Sequence, residues 1–388
     1  MRIAIIGAGI AGAAAAFEIA RQGRRASVFH DVTGSSGLYS GALDFEPWDC
    51  ADPTRVLEPD LSEFSKQLGT WKLGAATRHV ATLEGNVRPT RGSDRALLDL
   101  ERCAGKRVAV VDLERDDWDA PLLAKSFANS AWAKQTGTEF FALPVAVLKK
   151  GFERRISGFD FAALHDAAER AQALEAALRS SNVRADAWLF GPWLGIERQL
   201  ADELSAALGV PVGETTSAPG GAAGARFELA RDRLMARLAD AVRGRLLSLE
   251  RVTGGYRLHL RDHAPLEFPI VVLATGGVAA GGVALERSFE RRGGTGFRLS
   301  FDAPIALELD AEVVEGVSSL ANVDFVERGL DALLRVGIAV QADGSLPGNP
   351  GLFAAGDALA GRPRTALVAA DSGLQAARAA LDFARRLG

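Results

Sequence analysis

The sequence predicts an α/β fold with a parallel sheet and a discontinuous second, α+β domain. Three observations predict it. A strand, a small-residue helix and another strand follow one another within residues 2–30. Isolated apolar strands recur past the middle of the chain and near its end. The stretch between them is long and mixed in pattern, which indicates a second structural unit.

The first unit is the clearest. Residues 2–6 (RIAII) are apolar enough for a short buried strand. Residues 10–22 are rich in alanine and predict a helix, which Gly23 closes as a C-terminal cap. Residues 26–30 (ASVFH) predict the next strand, so the N-terminus forms one β-α-β unit.

Later segments repeat the strand pattern. Arg107–Asp112, Ile270–Ala274 and Gly351–Ala355 predict buried strands, and a helix from about Gly373 to Arg386 ends the chain. Other predicted features are helices at about Phe161–Arg179 and 228–243, and Pro/Gly-rich crossings between the domains at 209–224 and 343–351. We therefore assign 1–45, 214–285 and 335–388 to a Rossmann-like domain, and 46–213 and 286–334 to a substrate, cap or partner-docking domain.

Composition excludes several classes of protein. The 388 residues carry 45 Lys and Arg against 49 Asp and Glu, a formal charge of −4, which argues against a nucleic-acid footprint. Two cysteines, Cys50 and Cys103, are too few for a disulfide scaffold, a four-cysteine zinc site or an iron–sulfur site. We expect no metal site and a reducing, cytoplasmic location.

The most apolar stretch, residues 3–20, resembles a signal-peptide core. It contains Gly7, Gly9, Gly12 and Glu18, and arginines follow it instead of a cleavage site. A cofactor loop is therefore the better interpretation. Without a span of its own, the chain is expected to reach a membrane only through a partner.

The strongest motif is Gly7-Ala8-Gly9-Ile10-Ala11-Gly12. It follows a strand and opens a helix, which is the context that a dinucleotide pyrophosphate needs. The helix N-terminus offers free N–H groups to the phosphates. The alternative is a plain glycine-rich turn.

The second strand of such a unit usually ends in an acid that binds ribose hydroxyls. Here His30 occupies that position and Asp31 follows. Either side chain can bond a hydroxyl, but His30 weakens the contact, and the alternative is that it merely ends the strand.

Two further motifs indicate a flavin. Ala274-Thr275-Gly276-Gly277 ends a strand in a small-residue turn, which lets a dinucleotide pass closely. Gly351–Asp357 (GLFAAGD) places an aspartate after a strand, where flavoproteins bind the ribityl chain. In this order the three motifs indicate a flavoprotein of the glutathione-reductase-like class. The run 276–282 (GGVAAGG) has the wrong spacing for a second nucleotide loop, so we expect no tight NAD(P) binding.

Beyond these motifs, the chain resembles the B-subunit family of the anaerobic glycerol-3-phosphate dehydrogenase. The resemblance is carried by 34–45 (GSSGLYSGALDF), by Arg88-Pro89-Thr90 with 107–129, by 217–220 (SAPG) with RFELARDRLMARL, and by ATGGVAAGG and NPGLFAAGDALAG. It implies an FAD-bearing subunit, with FMN as the alternative, that passes electrons toward quinone beside a larger flavoprotein or iron–sulfur subunit. Placement would be cytoplasmic, peripheral to the inner membrane through that partner.

The chain departs from the family in one loop. Where the family carries a Y-D-P segment and an E-G-C-G run, residues 362–373 read RPRTALVAADSG. The catalytic residues of that loop therefore cannot be transferred. A helix N-terminus near Gly373 is still expected beside the flavin ring.

Catalytic residues stay unassigned, with weak candidates only. Arg362 and Arg364 could bind a carboxylate or phosphate, and His79 lies in the second domain. His165, His259 and His263 are expected at the surface. The six tryptophans, at 48, 71, 118, 132, 188 and 193, are expected to pack the second domain or a docking surface formed by 45–213.

These motifs together predict the residues that contact the cofactor. They are Gly7, Gly9, Ile10, Ala11, Gly12, His30, Asp31, Ser35, Ser36, Gly37, Ser40, Gly41, Val252, Ala274, Thr275, Gly276, Gly277, Gly356 and Asp357. Three functions follow as hypotheses: an electron-transfer subunit of a dehydrogenase complex; a self-contained flavin oxidase or dehydrogenase of an amine, amino acid or hydroxy acid; and a non-catalytic interaction subunit that keeps the flavin fold. A stable copurifying partner separates the first from the second.

Overall fold

The computed structural model of the protein describes residues 1–31, 34–46, 57–148, 150–181, 183–288, 296–300, 305, 307–309, 312–314, 320–323 and 334–387. Trp48, Cys50 and most of the predicted segment 286–334 lie outside these ranges. The helices are α1 (Ile10–Arg21), α2 (Pro59–Leu68), α3 (Ala120–Asn129), α4 (Ala131–Thr136), α5 (Gly158–Leu164), α6 (Ala168–Ser180), α7 (Leu200–Leu208), α8 (Ala222–Leu238) and α9 (Ala366–Leu387).

The strands, in chain order, are β1 (Ile3–Ile6), β2 (Ser27–His30), β3 (Ala42–Leu43), β4 (Trp71–Ala81), β5 (Val87–Asp94), β6 (Arg107–Asp112), β7 (Glu139–Pro144), β8 (Ala187–Phe190), β9 (Val212–Glu214), β10 (Asp240–Arg243), β11 (Leu246–Val252), β12 (Gly255–Leu260), β13 (Leu266–Phe268), β14 (Ile270–Leu273), β15 (Ala284–Ser288), β16 (Gly296–Ser300), β17 (Leu307–Leu309), β18 (Glu312–Val314), β19 (Leu320–Val323), β20 (Gly337–Ile338) and β21 (Leu352–Ala354).

A parallel sheet of order β10-β2-β1-β14-β21 forms the centre of the first domain. Its register pairs Ile3 with Ile270 and Val271 with Leu352. Strands β1 and β14 are buried along their whole length, as expected for a parallel sheet covered on both faces. The predicted α/β fold with a Rossmann-like parallel sheet is thereby confirmed. The sheet's strands come from the segments 1–45, 214–285 and 335–388.

Residues between these segments build a second, parallel sheet of order β7-β6-β8-β9. An antiparallel sheet, β3-β5-β4, links it to the first domain, because β3 pairs with β5 across the expected boundary at residue 45. Small antiparallel sheets β11-β12-β13, β15-β16-β19 and β18-β17-β20 complete the described strands.

The tryptophans that the structure describes belong to the core. The five described ones, at 71, 118, 132, 188 and 193, are all buried. Trp118 and Trp193 meet edge to face with ring centroids 5.2 Å apart, and the Trp118 indole donates to the Val111 carbonyl oxygen. Their burial removes the tryptophan-based reason for treating 45–213 as a docking surface.

Three helix predictions were wrong in their extent. The run 161–179 is two helices, α5 and α6, and α8 covers 222–238 instead of 228–243. Residues 240–243 leave the helix because they pair with β2 as the edge strand β10. The last helix begins at Ala366, since Thr365 accepts the Val368 N–H at its start. Among the described helices, the 22-residue α9 included, none is both long and apolar enough to cross a membrane.

A buried ion network connects α8 to the ends of β5 and β9. The Arg226 guanidinium on α8 donates to Asp94 Oδ1 (3.0 Å) and Glu214 Oε2 (2.6 Å), at the ends of β5 and β9. The Arg226 side chain is 7% exposed and both carboxylates are 0% exposed. Its third bond goes to the Gly195 carbonyl oxygen at 2.7 Å. Burial raises the pKa of Glu214, and the charge of Arg226 opposes that rise.

Replacing Arg226 by Met should destabilise the protein strongly. Two carboxylates would stay buried without their cation, so the free energy of unfolding should fall by about 3–5 kcal/mol. Arg226→Lys keeps the positive charge but not the planar guanidinium that bonds both carboxylates, so the free energy of unfolding should fall by a smaller amount. Arg233→Met, an exposed change on the same helix, is the control and should stay within about 0.5 kcal/mol in denaturant unfolding. Equal stability of Arg226→Met and Arg233→Met would contradict the role of the network.

His165 is buried, contrary to the expected surface position. It lies between α5 and α6, and Nδ1 donates to the Trp193 carbonyl oxygen at 2.9 Å. Burial lowers the pKa of His165 to about 4, which the bond to Trp193 partly offsets. The helix breaks here because neighbouring Asp166 turns away to accept the N–H groups of Ile196, Glu197 and Arg198.

This burial predicts a pH dependence of stability. The unfolded chain takes up the His165 proton at about pH 6.5, whereas the folded chain takes it up only at about pH 4. Stability should therefore fall as the pH drops through this window, by up to about 3 kcal/mol. Denaturant unfolding at several pH values should show a flatter dependence in His165→Gln. His263→Gln, at an exposed histidine, should retain the wild-type slope. Identical slopes in both variants would refute the assignment.

Candidate functional site

A cleft of about 970 Å³ opens at the carboxyl ends of the central strands. It lies where the chain reverses its winding, with β2 on one side of β1 and β14 on the other, which is the usual ligand position in such sheets. Most predicted cofactor contacts line it: Gly7, Gly9, Ile10, Ala11, His30, Asp31, Ser35, Ser36, Ser40, Ala274, Thr275, Gly276, Gly356 and Asp357.

The glycines after β1 close the floor of the cleft. Gly7 has φ +107°, and a Cβ there would lie 2.1 Å from the Ala274 carbonyl oxygen. A Cβ on Gly12 would lie 1.9 Å from the Gly7 carbonyl oxygen. Gly12 therefore does not line the cleft but lets α1 pack directly against the turn.

The N-terminus of α1 faces the cleft. Its cap is Gly9, which contributes no side-chain hydrogen bond. The Ser36 hydroxyl accepts the Ile10 N–H at 3.1 Å, and a Cβ on Gly9 would lie 3.0 Å from that hydroxyl oxygen. The first turn of a helix leaves N–H groups without intrahelical partners, so this end is built for an anion.

The end of β2 presents His30 and Asp31 to the same cleft. Burial lowers the pKa of His30, and the nearby Arg231 charge lowers it further. The ring is therefore neutral at pH 7 and can both donate to and accept from a hydroxyl. Asp31 faces Arg243 at 3.8 Å, so part of its charge is offset.

The residues after β10 line this end of the cleft and were missed by sequence reasoning. They are Gly244, Arg245, Leu246 and Leu247, to which Arg261 is added from the end of β12. The segment 240–243 was predicted as helix, which hid the strand that delivers them.

Val252, which was predicted as a contact, does not line the cleft. It pairs with Gly255 at the closed end of the β11–β12 hairpin. The strand that carries it therefore meets the cleft at its other end, at Leu246 and Leu247.

At the opposite side, Asp357 ties the last motif to the first loop. Its Oδ2 accepts a hydrogen bond from the Ser35 hydroxyl at 3.0 Å. Burial raises the pKa of Asp357, which Ser35 and Arg364 partly offset. The preceding Gly356 has φ +76° and donates its N–H to the Ser372 hydroxyl on α9.

Of the two candidate arginines, only Arg364 lines the cleft. Arg364 lines the cleft, and its Nη2 donates to the Val336 carbonyl oxygen at 2.8 Å, while its buried Nε has no partner among the described residues. Arg362 is exposed and does not line the cleft. Gly277 lies behind Arg364, since a Cβ there would be 3.2 Å from the guanidinium carbon.

Asp44 and Arg88 form an ion pair that lines the cleft near the start of α9. Asp44 is 5% exposed, forms an ion pair with Arg88 and accepts the Arg91 N–H at 3.1 Å. Burial raises the pKa of Asp44, which the charge of Arg88 offsets. Thr365 and Ala366 bring the N-terminus of α9 to the same place. Asp44 and Arg88 lie in the GALDF and RPT stretches but carry no motif of their own, so their role was not predicted.

Several predicted residues lie outside the cleft. Gly37 and Gly41 support it from behind, since a Cβ on Gly41 would lie 2.7 Å from the Leu97 side chain and Gly37 contacts Gly224. His79 pairs with Glu101 at 2.6 Å in the second domain and does not line the cleft. Burial raises the pKa of the Cys103 thiol to about 12, so it stays protonated.

Comparisons with known proteins find similarity to solved structures only. No protein-family model matches the chain, and no curated protein matches it. A GidA-related protein from Thermus thermophilus is 11% identical over 98% of each chain, with a TM-score of 0.34. Glycine oxidase from Geobacillus kaustophilus is 13% identical over 99% of this chain and 94% of that one, with a TM-score of 0.32. Iminodiacetate oxidase from Chelativorans sp. BNC1 is 14% identical over 99% and 95%, with a TM-score of 0.30. The fold assignment rests on the chain's own sheet order and not on similarities of this level.

Proposed function

We propose that this protein is an FAD-dependent oxidoreductase. The observation that carries the proposal is a single continuous cleft that joins a pyrophosphate cradle to binding groups on both sides. The cradle is the N-terminus of α1 at Gly9. His30 and Leu247 lie on one side of it, and Asp357 and Arg364 on the other.

This arrangement favours FAD over FMN. FMN has one phosphate and no adenosine, so it would leave the His30 end empty and the helix N-terminus without a pyrophosphate. The volume of about 970 Å³ lies at the upper end of ligand pockets, which reach about 1,000 Å³. The alternative FMN therefore fits the cleft less well.

The chain's groups would hold the parts of FAD in sequence. His30 would bond the adenosine ribose beside Leu246 and Leu247. The α1 N–H groups would bond the pyrophosphate, and Asp357 would accept from the ribityl hydroxyls. When bound, the flavin ring supplies hydride and electron acceptance, and the protein supplies orientation and electrostatics.

Positive groups converge where the ring end of the cofactor would lie. The N-terminus of α9 begins at Ala366, and the half-buried Arg364 guanidinium lies beside it. Both favour negative charge on a ligand in this part of the cleft. Asp44, with its raised pKa and its partner Arg88, can take up or release a proton at a carboxylate oxygen.

Within this class we propose the role of an electron-transfer subunit in a glycerol-3-phosphate-dehydrogenase-like complex. The support is the family resemblance of the segments around 34–45, 88–90 and 217–220, of which the first two line or border the cleft. On this proposal, a larger flavoprotein or iron–sulfur partner completes the path toward quinone, and the chain meets the membrane only through that partner.

A self-contained oxidase or dehydrogenase is the second candidate. The observation that favours it is the pair Asp44 and Arg88, which combines a proton acceptor with a cation beside the cofactor cleft. Such a pair suits the oxidation of an amine, an amino acid or a hydroxy acid, where a proton leaves the substrate.

The purified protein should contain FAD, and Gly9→Leu should lose it. The side chain would fill the approach to the pyrophosphate, because even its Cβ lies 3.0 Å from the Ser36 hydroxyl oxygen. The measurement is the absorption spectrum of the purified chain, with the released flavin identified by chromatography. Gly151→Leu, where a Cβ meets nothing within 4 Å, is the matched control and should keep full occupancy. FMN, no flavin after gentle purification, or full flavin in Gly9→Leu would each overturn the assignment.

The subunit role predicts a heteromeric complex from native cells. Affinity purification at low salt without detergent should recover a larger flavoprotein or an iron–sulfur protein with this chain. The chain alone should show little glycerol-3-phosphate oxidation with an artificial electron acceptor. Recovery of the chain alone, combined with robust turnover of a substrate, would instead support the self-contained enzyme.

A further inference from the structure

A second cavity, of about 360 Å³, lies beside Arg226 where the two domains meet. It shares no lining residue with the cofactor cleft. We propose that it binds a small organic anion with two or more negative charges, of the phosphate-ester or polycarboxylate type. Its volume lies within the range of about 300–1,000 Å³ that is usual for ligand pockets.

One wall of the cavity is a single face of α8. It is formed by Arg226, Leu229, Ala230, Arg233 and Arg237. These positions are separated by three, one, three and four residues, the spacing that aligns side chains along one side of a helix. Three arginines on one face of the helix, with Leu229 and Ala230 between them, give the wall a concentrated positive charge.

The facing walls add further cations. Arg95 follows β5, and Arg198 precedes α7. The lining therefore holds five arginines against three carboxylates, those of Asp94, Glu197 and Asp202. Glu203 and Glu214, which lie outside the lining, pair with Arg198 and Arg226, so the excess of guanidinium charge lies at the other three arginines. The planar forks of these guanidinium groups suit carboxylate and phosphate oxygens.

The arginines differ in how far their charges are already offset. Arg226 is fully engaged by Asp94 and Glu214. Arg95 shares Asp202 with Lys72, whose ammonium lies 3.1 Å from Asp202 Oδ1, so two cations meet one carboxylate.

The outer two arginines of the stripe are the least engaged. Arg233 lies 3.6 Å from Glu197, and both of these side chains are exposed. Arg237 donates to the Gln67 carbonyl oxygen at 3.3 Å and has no carboxylate partner among the described residues. The capacity for an added anion is therefore greatest at Arg95, Arg233 and Arg237.

The N-terminus of α7 strengthens this preference. Its cap residue Gln199 makes no side-chain capping bond, and both Gln199 and Ala201 line the cavity. The end of the helix adds partial positive charge to the arginines, part of which Asp202 and Glu203 in its first turn offset. Exposed arginines that only pair with Glu197 and Asp202 are the alternative, and they predict no saturable binding.

The test is calorimetric titration of the full chain, purified and saturated with FAD, with inorganic pyrophosphate and separately with citrate. Pyrophosphate represents phosphate esters and citrate represents polycarboxylates. The key variant is Arg233→Gln/Arg237→Gln, which changes exposed residues and leaves the Arg226 network intact. The control is Arg154→Gln/Arg155→Gln, which removes the same charge at exposed positions that line neither cavity.

At least one probe should bind the wild type at a single site. That binding should weaken by at least about tenfold in the Arg233/Arg237 variant, a change of about 1.4 kcal/mol, and stay unchanged in the control. The probe that binds identifies the ligand class. No saturable binding of either probe, or equal affinity in the Arg233/Arg237 variant and the wild type, would overturn the proposal. The result does not depend on the proposed cofactor, because the variants lie outside its cleft: binding that the Arg233/Arg237 variant loses belongs to this cavity, whereas binding that it keeps belongs to another site, such as the α1 N-terminus of protein without FAD.

Discussion

The close approach of α1 to the turn after β1 is the constraint on which the cofactor cleft depends. Gly12 lets the helix axis come so near that any Cβ would overlap the Gly7 carbonyl oxygen. On the other side, Gly373 of α9 packs against the backbone of Ala11, where a Cβ would lie 2.2 Å from its carbonyl oxygen. Because α1 is held between the turn and α9 by backbone contacts, its N-terminus has one position relative to the strand ends. A pre-positioned helix terminus binds an anion without the cost of ordering it.

The loop after β2 is held at one end by Asp357 and at the other by Asp94 of β5. It therefore connects the cleft to the ion network around Arg226. Ser35 bonds Asp357 of the first domain, whereas Gly41 accepts the Asp94 N–H from β5 at 2.7 Å. Asp94 in turn binds Arg226, so the buried network supports the back of the loop whose front lines the cleft. A ligand in the second cavity would contact the other face of the same network. The two cavities are therefore separate in their lining but joined through Asp94 and the backbone of Gly41.

Sequence reasoning predicted the elements whose structure is set by a local pattern. It failed for the elements whose structure is set by contacts between distant parts of the chain. The glycine turn, β1, α1 and β2 could be predicted because their period, glycines and length agree within one segment. β10 could not, since its residues have helical periodicity and become a strand only by pairing with β2. Val252 was misplaced for the same reason, as the hairpin register decides which end reaches the cleft. His165 looked like a surface residue because its burial depends on packing between distant helices and strands, and for the tryptophans the sequence left the core and a docking surface open as alternatives for the same reason. No sequence motif or spacing links Asp44 to Arg88. The two residues come together only because β3 pairs with β5.

The charges around the cleft favour a dianionic ligand, although His30 replaces the carboxylate that usually ends the second strand of such a unit. Four carboxylates line the cleft among the described residues: Asp31, Asp44, Glu46 and Asp357. Asp31 faces Arg243, Asp44 pairs with Arg88, and Asp357 accepts from Ser35, so each of these three repels a pyrophosphate less than a free carboxylate would. His30 is neutral where a carboxylate would add another negative charge near the phosphates. The termini of α1 and α9 and the Arg364 guanidinium then leave the floor of the cleft positive. On the proposed function, His30 would replace a strong acceptor for the ribose hydroxyls by a neutral ring, and the negative field that opposes the phosphates would be weaker for it.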